Sequence, residues 1–109
     1  MIIQNIPFDT VDWIAVEEER HGGETGYANW KTRQFGDIRV RVVTYSPGYK
    51  ADHWCKKGHI IYCLEGDMTT ELEDGRLIEL RQGMSYQVED ENYPHRSCTK
   101  NGAKLFIVD

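Results

Sequence analysis

The chain has 109 residues, 28% of them charged and 39% apolar, with six Tyr, three Trp and three Phe. That length supports one domain with a sizeable core, and that aromatic load excludes a disordered chain. Thirteen basic against 18 acidic residues leave a net charge of −5, which argues against nucleic acid as a partner. No run of about 18 apolar residues predicts a membrane span. The opening Met1-Ile2-Ile3-Gln4-Asn5 lacks the basic and apolar regions of a signal peptide, so a cytoplasmic address is expected.

Taken in chain order, the first candidate element is a short helical turn. Asp9 or Thr10 is placed to cap it, and Trp13, Ile14 and Val16 form its apolar positions. It dissolves at Arg20-His21-Gly22-Gly23, a loop signal. Residues 1–25 therefore read as an N-terminal arm, and 26–109 as one β-barrel. The arm carries Ile2, Ile3, Ile6, Phe8, Trp13 and Ile14, so part of it is expected to cover a sheet edge or to pack in a homodimer.

Beyond Gly26 the pattern is strands between turn residues. They are predicted at 27–34, 38–45, 59–65, 68–72 and 76–80, then from Gly83 through Val88, from Pro94 through Thr99, and at 105–108. Asp74-Gly75 reads as a hairpin turn and Gly66-Asp67 as a strand end. Short strands at this spacing predict an all-β sandwich or small barrel.

Histidines and cysteines carry the chemistry. Cys55, Cys63 and Cys98 form an odd set, read as free thiols or metal ligands rather than a disulfide framework. His53 and Cys55 are two apart and share a face if they lie in a strand. His59 opens the next strand with Ile61 and Cys63 on its face, and His95 enters a late strand after Pro94. Aimed at one interior, these strands would gather three imidazoles and a thiolate, a donor set suited to Zn, Fe, Ni or Cu. The simpler reading makes each histidine a satisfied polar residue, as His21 is taken to be, and Cys63 and Cys98 small core residues. Asp52 could orient the His53 ring, although neighbours in a strand point to opposite faces.

In 38–45, Arg39, Arg41, Val43 and Tyr45 share one face. Either that face lines the cavity, where Arg39 or Arg41 would clamp a substrate carboxylate, or it is a solvated stripe opposite buried Val40 and Val42. Tyr62 and Tyr86, with Gln87, Trp30 and Trp54, are candidates for a pocket wall, or for core and dimer contact.

The run Gly48-Tyr49-Lys50-Ala51-Asp52-His53-Trp54-Cys55, continued through His59 to Gly66, resembles the first motif of the cupins, G-x5-H-x-H-x3/4-E-x6-G. His53 falls on its first histidine, Cys55 on its second, His59 on its glutamate and Gly66 on its last glycine. The segment from Gly83 to His95 is similar to the second motif, with His95 on the histidine but Glu89 and Glu91 where proline and glycine belong. More narrowly, Asp52-His53-Trp54-Cys55 resembles the motif of small bacterial DHCW-motif cupin-fold proteins, its last two residues transposed. The resemblance implies a cupin-type β-barrel, or jelly roll. It also implies a divalent transition metal (Zn, Fe or Ni) on His53, Cys55, His59 and His95. No carboxylate stands among these positions, so a Cys55 thiolate would supply the charge and shift preference toward Zn. Two functions follow: a metal-dependent oxygenase, isomerase or lyase acting on a small polar metabolite, or a non-catalytic module that binds a small molecule.

Overall fold

Eight antiparallel strands make the fold, and residues 2–109, which this computed structural model describes, contain no helix. In chain order they are β1 (Glu19–Gly22), β2 (Tyr27–Phe35), β3 (Ile38–Tyr45), β4 (His59–Leu72), β5 (Leu77–Arg81), β6 (Ser85–Val88), β7 (His95–Cys98) and β8 (Ala103–Val108). The hydrogen-bonded order is β1-β2-β3-β8-β4-β5, and β6 and β7 also pair with β4. All-β architecture, read from the strand and turn pattern, is what the chain adopts.

The N-terminal helical turn is not formed. One turn closes where the Ala15 amide donates to the Asp12 carbonyl (3.0 Å), and Asp12 Oδ1, not Asp9 or Thr10, caps it by accepting from the Ile14 amide (3.1 Å). Too few apolar positions face one side to carry it further: Val16 is buried, while Ile14 stays 90% exposed. Trp13 instead sets its edge against Phe106 on the outer face of β8, with ring centroids 6.3 Å apart. The chain then enters β1, which lies within the stretch read as an arm and pairs along the edge of β2.

β4 organises the rest. Its first half pairs with β8 and β6, its second with β5 and β7. Sequence patterning splits this strand in two at Gly66-Asp67, but the chain continues through a bulge between Cys63 and Glu65. Gly66 sits there at φ +77°, and a Cβ would run into the Gly102 carbonyl, so only glycine lets the strand pass. The bulge also resets parity. His59, Ile61 and Cys63 point inward before it, and Met68 and Thr70 after it. Of these, Ile61, Cys63 and Met68 meet Ala28, Val43, Leu80, Ala103, Leu105 and Ile107 in the core. Cys63 is fully buried among them, as a small apolar residue would be.

Candidate metal centre

The site forms where the irregular segment after β3 crosses β7. Cys55 faces His95 across an isolated two-residue bridge: the Cys55 amide donates to the His95 carbonyl (2.7 Å), and the His95 amide donates to the Cys55 carbonyl (2.9 Å). Directly opposed residues put their side chains on one face, so the Cys55 thiol lies beside the His95 ring. His59, first residue of β4, enters from the neighbouring strand. One ligand atom from each of Cys55, His59 and His95 lies within 4.8 Å of the others.

His53 is elsewhere. Residues 52 and 53 form a bend rather than a strand, so i, i+2 parity does not link His53 to Cys55. Its ring is 79% exposed and takes Asp52 Oδ1 at 2.6 Å from Nδ1. The same bend lets these sequence neighbours meet, where a strand would have kept them apart.

The surroundings of the two imidazoles bias where their protons sit. His95 Nδ1 lies 2.7 Å from the Tyr93 carbonyl, which can only accept, so Nδ1 carries the proton and a neutral ring leaves Nε2 bare. His59 Nδ1 is buried without a hydrogen-bond partner and faces Asp109 Oδ2 across 3.8 Å, an approach that favours a proton on that nitrogen too. The two Nε2 atoms then oppose lone pairs across 2.9 Å. A cation relieves that repulsion. Burial, outweighing the pull of Asp109, pushes the His59 imidazole below its ordinary pKa and disfavours a proton in that role. Two metal–nitrogen bonds of about 2.0–2.1 Å can span the gap. The nearby His95 ring, against burial, holds the Cys55 thiol below its usual range, and the thiol in turn raises the His95 imidazole, so the pair shares one proton that a metal would displace. The donor set fits a divalent transition metal.

Behind His59 stands a charged buttress that sequence reading did not identify. The Asp109 side chain is fully buried. Arg39 donates to both its oxygens (Nε and Nη2, each 2.9 Å), and Arg41 Nη2 donates to Oδ2 (3.0 Å). Burial alone would raise this carboxyl; His59 and the two guanidiniums outweigh it and hold the group well below the ordinary carboxylate range. The signal for Asp109 was present: Leu105 and Ile107 point inward, so position 109 continues the inward row.

The arginine face of β3 turns inward. Arg41 and Val43 are buried while Val40 and Val42 lie on the half-covered outer side, so the solvated-stripe reading fails. The arginines are accommodated because both pair with Asp109 and the Trp30 ring stacks 4.4 Å from the Arg41 guanidinium. Tyr62 points outward from β4 at 44% exposure, away from the site. Tyr86, on β6, stands beside both imidazoles, with ring centroids 6.0 Å from His59 and 6.3 Å from His95. Two hollows flank the group: one of about 710 Å³ reached past His59 and Asp109, and one of about 280 Å³ reached past His95 and Tyr86.

No protein-family model matches the chain, and no curated protein matches it by sequence. Solved structures do. A sugar phosphate isomerase of the cupin superfamily from Silicibacter pomeroyi superposes with a TM-score of 0.74 at 14% identity, over 92% of this chain and 74% of that one. An RmlC-like cupin from Shewanella frigidimarina gives 0.70 at 18% identity, over 97% and 89%. Ectoine synthase from P. lautus gives 0.62 at 18% identity, over 74% and 62%. The fold is that of the cupins. The narrower DHCW likeness rests on Asp52-His53-Trp54-Cys55 alone.

Proposed function

We propose that the chain is a metal-dependent cupin acting on a small polar metabolite, with Cys55, His59 and His95 holding the ion. The observation that carries this reading is the pair of imidazole Nε2 atoms 2.9 Å apart with a thiol beside them. Three protein donors leave a coordination position for a substrate, as catalytic zinc sites do. A thiolate with two imidazoles makes Zn the first candidate, ahead of Fe and Ni. A bound ion would supply Lewis-acid polarisation of a substrate oxygen. The chain's own residues orient the site: the Tyr93 carbonyl holds the His95 ring through Nδ1, Asp109 faces His59 Nδ1, and Tyr86 stands beside both rings. His53 has no part in ligation. Two neighbours of the fold are an isomerase and a synthase, which supports catalysis over simple binding. A reducing cytoplasm suits a thiolate ligand. A homodimer through the outer sheet face is consistent with the exposure of Ile60 (49%) and Tyr62 (44%), and sedimentation as a monomer at high micromolar concentration would exclude it.

Elemental analysis of untagged protein prepared without added metal tests the centre. About one ion per chain is expected, retained by His53→Ala and lost by His59→Ala. Cobalt-loaded protein should show a thiolate-to-metal charge-transfer band that Cys55→Ser abolishes. Protons compete for the same nitrogens and sulfur, so affinity should fall as pH drops below about 6.5. Equal metal content in parent and His59→Ala would overturn the assignment.

A further inference from the structure

The hollow of about 280 Å³ on the His95 side contains a feature that the metal donors do not explain. Two hydroxyls line it with no hydrogen-bond partner: Thr70 Oγ1, on a residue 2% exposed, and Tyr86 Oη, also buried. They are near neighbours, and if one donates to the other, one O–H still has no acceptor. Buried donors without partners destabilise the fold, and a ligand oxygen would remove that cost. The walls, Leu72, Ile78 and Val88, are apolar.

Charge around the hollow is equally informative. Its one lining cation among the described residues, Arg76, is already held by Asp74 through Nε (3.0 Å) and Nη2 (2.9 Å). Glu89 also lines the wall. Apart from an ion at the His59–His95 group, a dianion entering here would meet a paired guanidinium and a carboxylate, with no side-chain cation free to receive it.

We infer that this hollow is the substrate subsite and that it takes a small, uncharged hydroxy-carbonyl compound whose oxygen is held by Thr70 and Tyr86, excluding phosphate esters. The inference rests on the reading of the His59–His95 group as the reaction centre, because the hollow opens onto His95.

The test compares two molecules of one skeleton, dihydroxyacetone and dihydroxyacetone phosphate, by saturation-transfer NMR and competition titration. It is run on metal-loaded and metal-stripped protein, so that loss of the metal reading and loss of the subsite register separately. Dihydroxyacetone is expected to bind both forms, more tightly when metal is present, and the phosphate ester to bind at least tenfold more weakly than the parent compound. Thr70→Val and Tyr86→Phe should each weaken dihydroxyacetone about 3- to 10-fold, the net worth of one hydrogen bond. Thr70→Ser, which keeps the hydroxyl, should not. If Tyr86→Phe fails to fold, the Thr70 pair decides. Tighter binding of the ester, no binding of dihydroxyacetone, or equal affinity in Thr70→Val and Thr70→Ser would each overturn the proposal.

Discussion

Asp109 is the residue on which the interior electrostatics turn. It pairs with both Arg41, which is 6% exposed, and Arg39, which is partly exposed, while facing a neutral His59. Replacing it by asparagine strands a buried guanidinium, and that costs far more than an exposed pair would. Asp109→Asn is expected to lower the unfolding free energy by about 3 kcal/mol in urea titration at pH 7, whereas Arg39→Lys costs less than about 1 kcal/mol. The pH dependence has a definite sign. The folded carboxyl titrates below its unfolded value of about 3.9, so its contribution is complete above that pH and disappears as pH falls through the folded value. The parent should therefore lose stability steeply below about pH 4, and Asp109→Asn should follow a flatter acid limb. The arginine row was visible in the alternation of β3, but its direction was not. Period-2 logic says which residues share a face; it takes the carboxylate two positions past Ile107 to explain why the charged face lies inside.

Among elements, the bulge in β4 decides how two groups of strands are stitched. Gly66→Ala places a methyl against the Gly102 carbonyl at a φ that L side chains rarely adopt, so a melting temperature lower by on the order of 10 °C is expected. Gly36, also at positive φ but with open space around it, should accept asparagine with almost no change. Strand existence was largely legible in the sequence. The span of β3 came out as read, because its alternation is clean and Ser46-Pro47-Gly48 stops it. β1 was hidden, because Glu19-Arg20-His21-Gly22 has no apolar alternation and pairs only along an edge. The continuity of β4 was hidden because Gly66-Asp67 looks the same in a bulge as in a turn. His53 was misplaced for a related reason: residues 51–58 carry a single isolated bridge, at Cys55, rather than a strand, and sequence gives no parity for a segment tied down by one pair.

For the whole molecule, the topology predicts an uneven distribution of stability. β3, β8 and the first half of β4 are each paired on both sides and supply Val43, Leu105, Ile107 and Ile61 to the core. β1 has one partner and no residue among the buried hydrophobics. Native-state hydrogen exchange should therefore find the slowest amides in β3, β4 and β8, while β1 opens at a small fraction of the global free energy. Comparable protection in β1 would show that something else covers that edge.

The bridge between Cys55 and His95 has a consequence for how this site can change. Position 55 is fixed by two main-chain hydrogen bonds, and neither depends on the side chain it carries. The backbone thus works as a socket into which different donors can be plugged without rebuilding the frame around them. A histidine, an aspartate or a cysteine placed there would approach the same two imidazoles from the same direction. What would change is hardness and charge, and with them the preferred ion. Exchange at this single address offers a short route, by drift or by the bench, from one metal's chemistry to another's within an unchanged barrel.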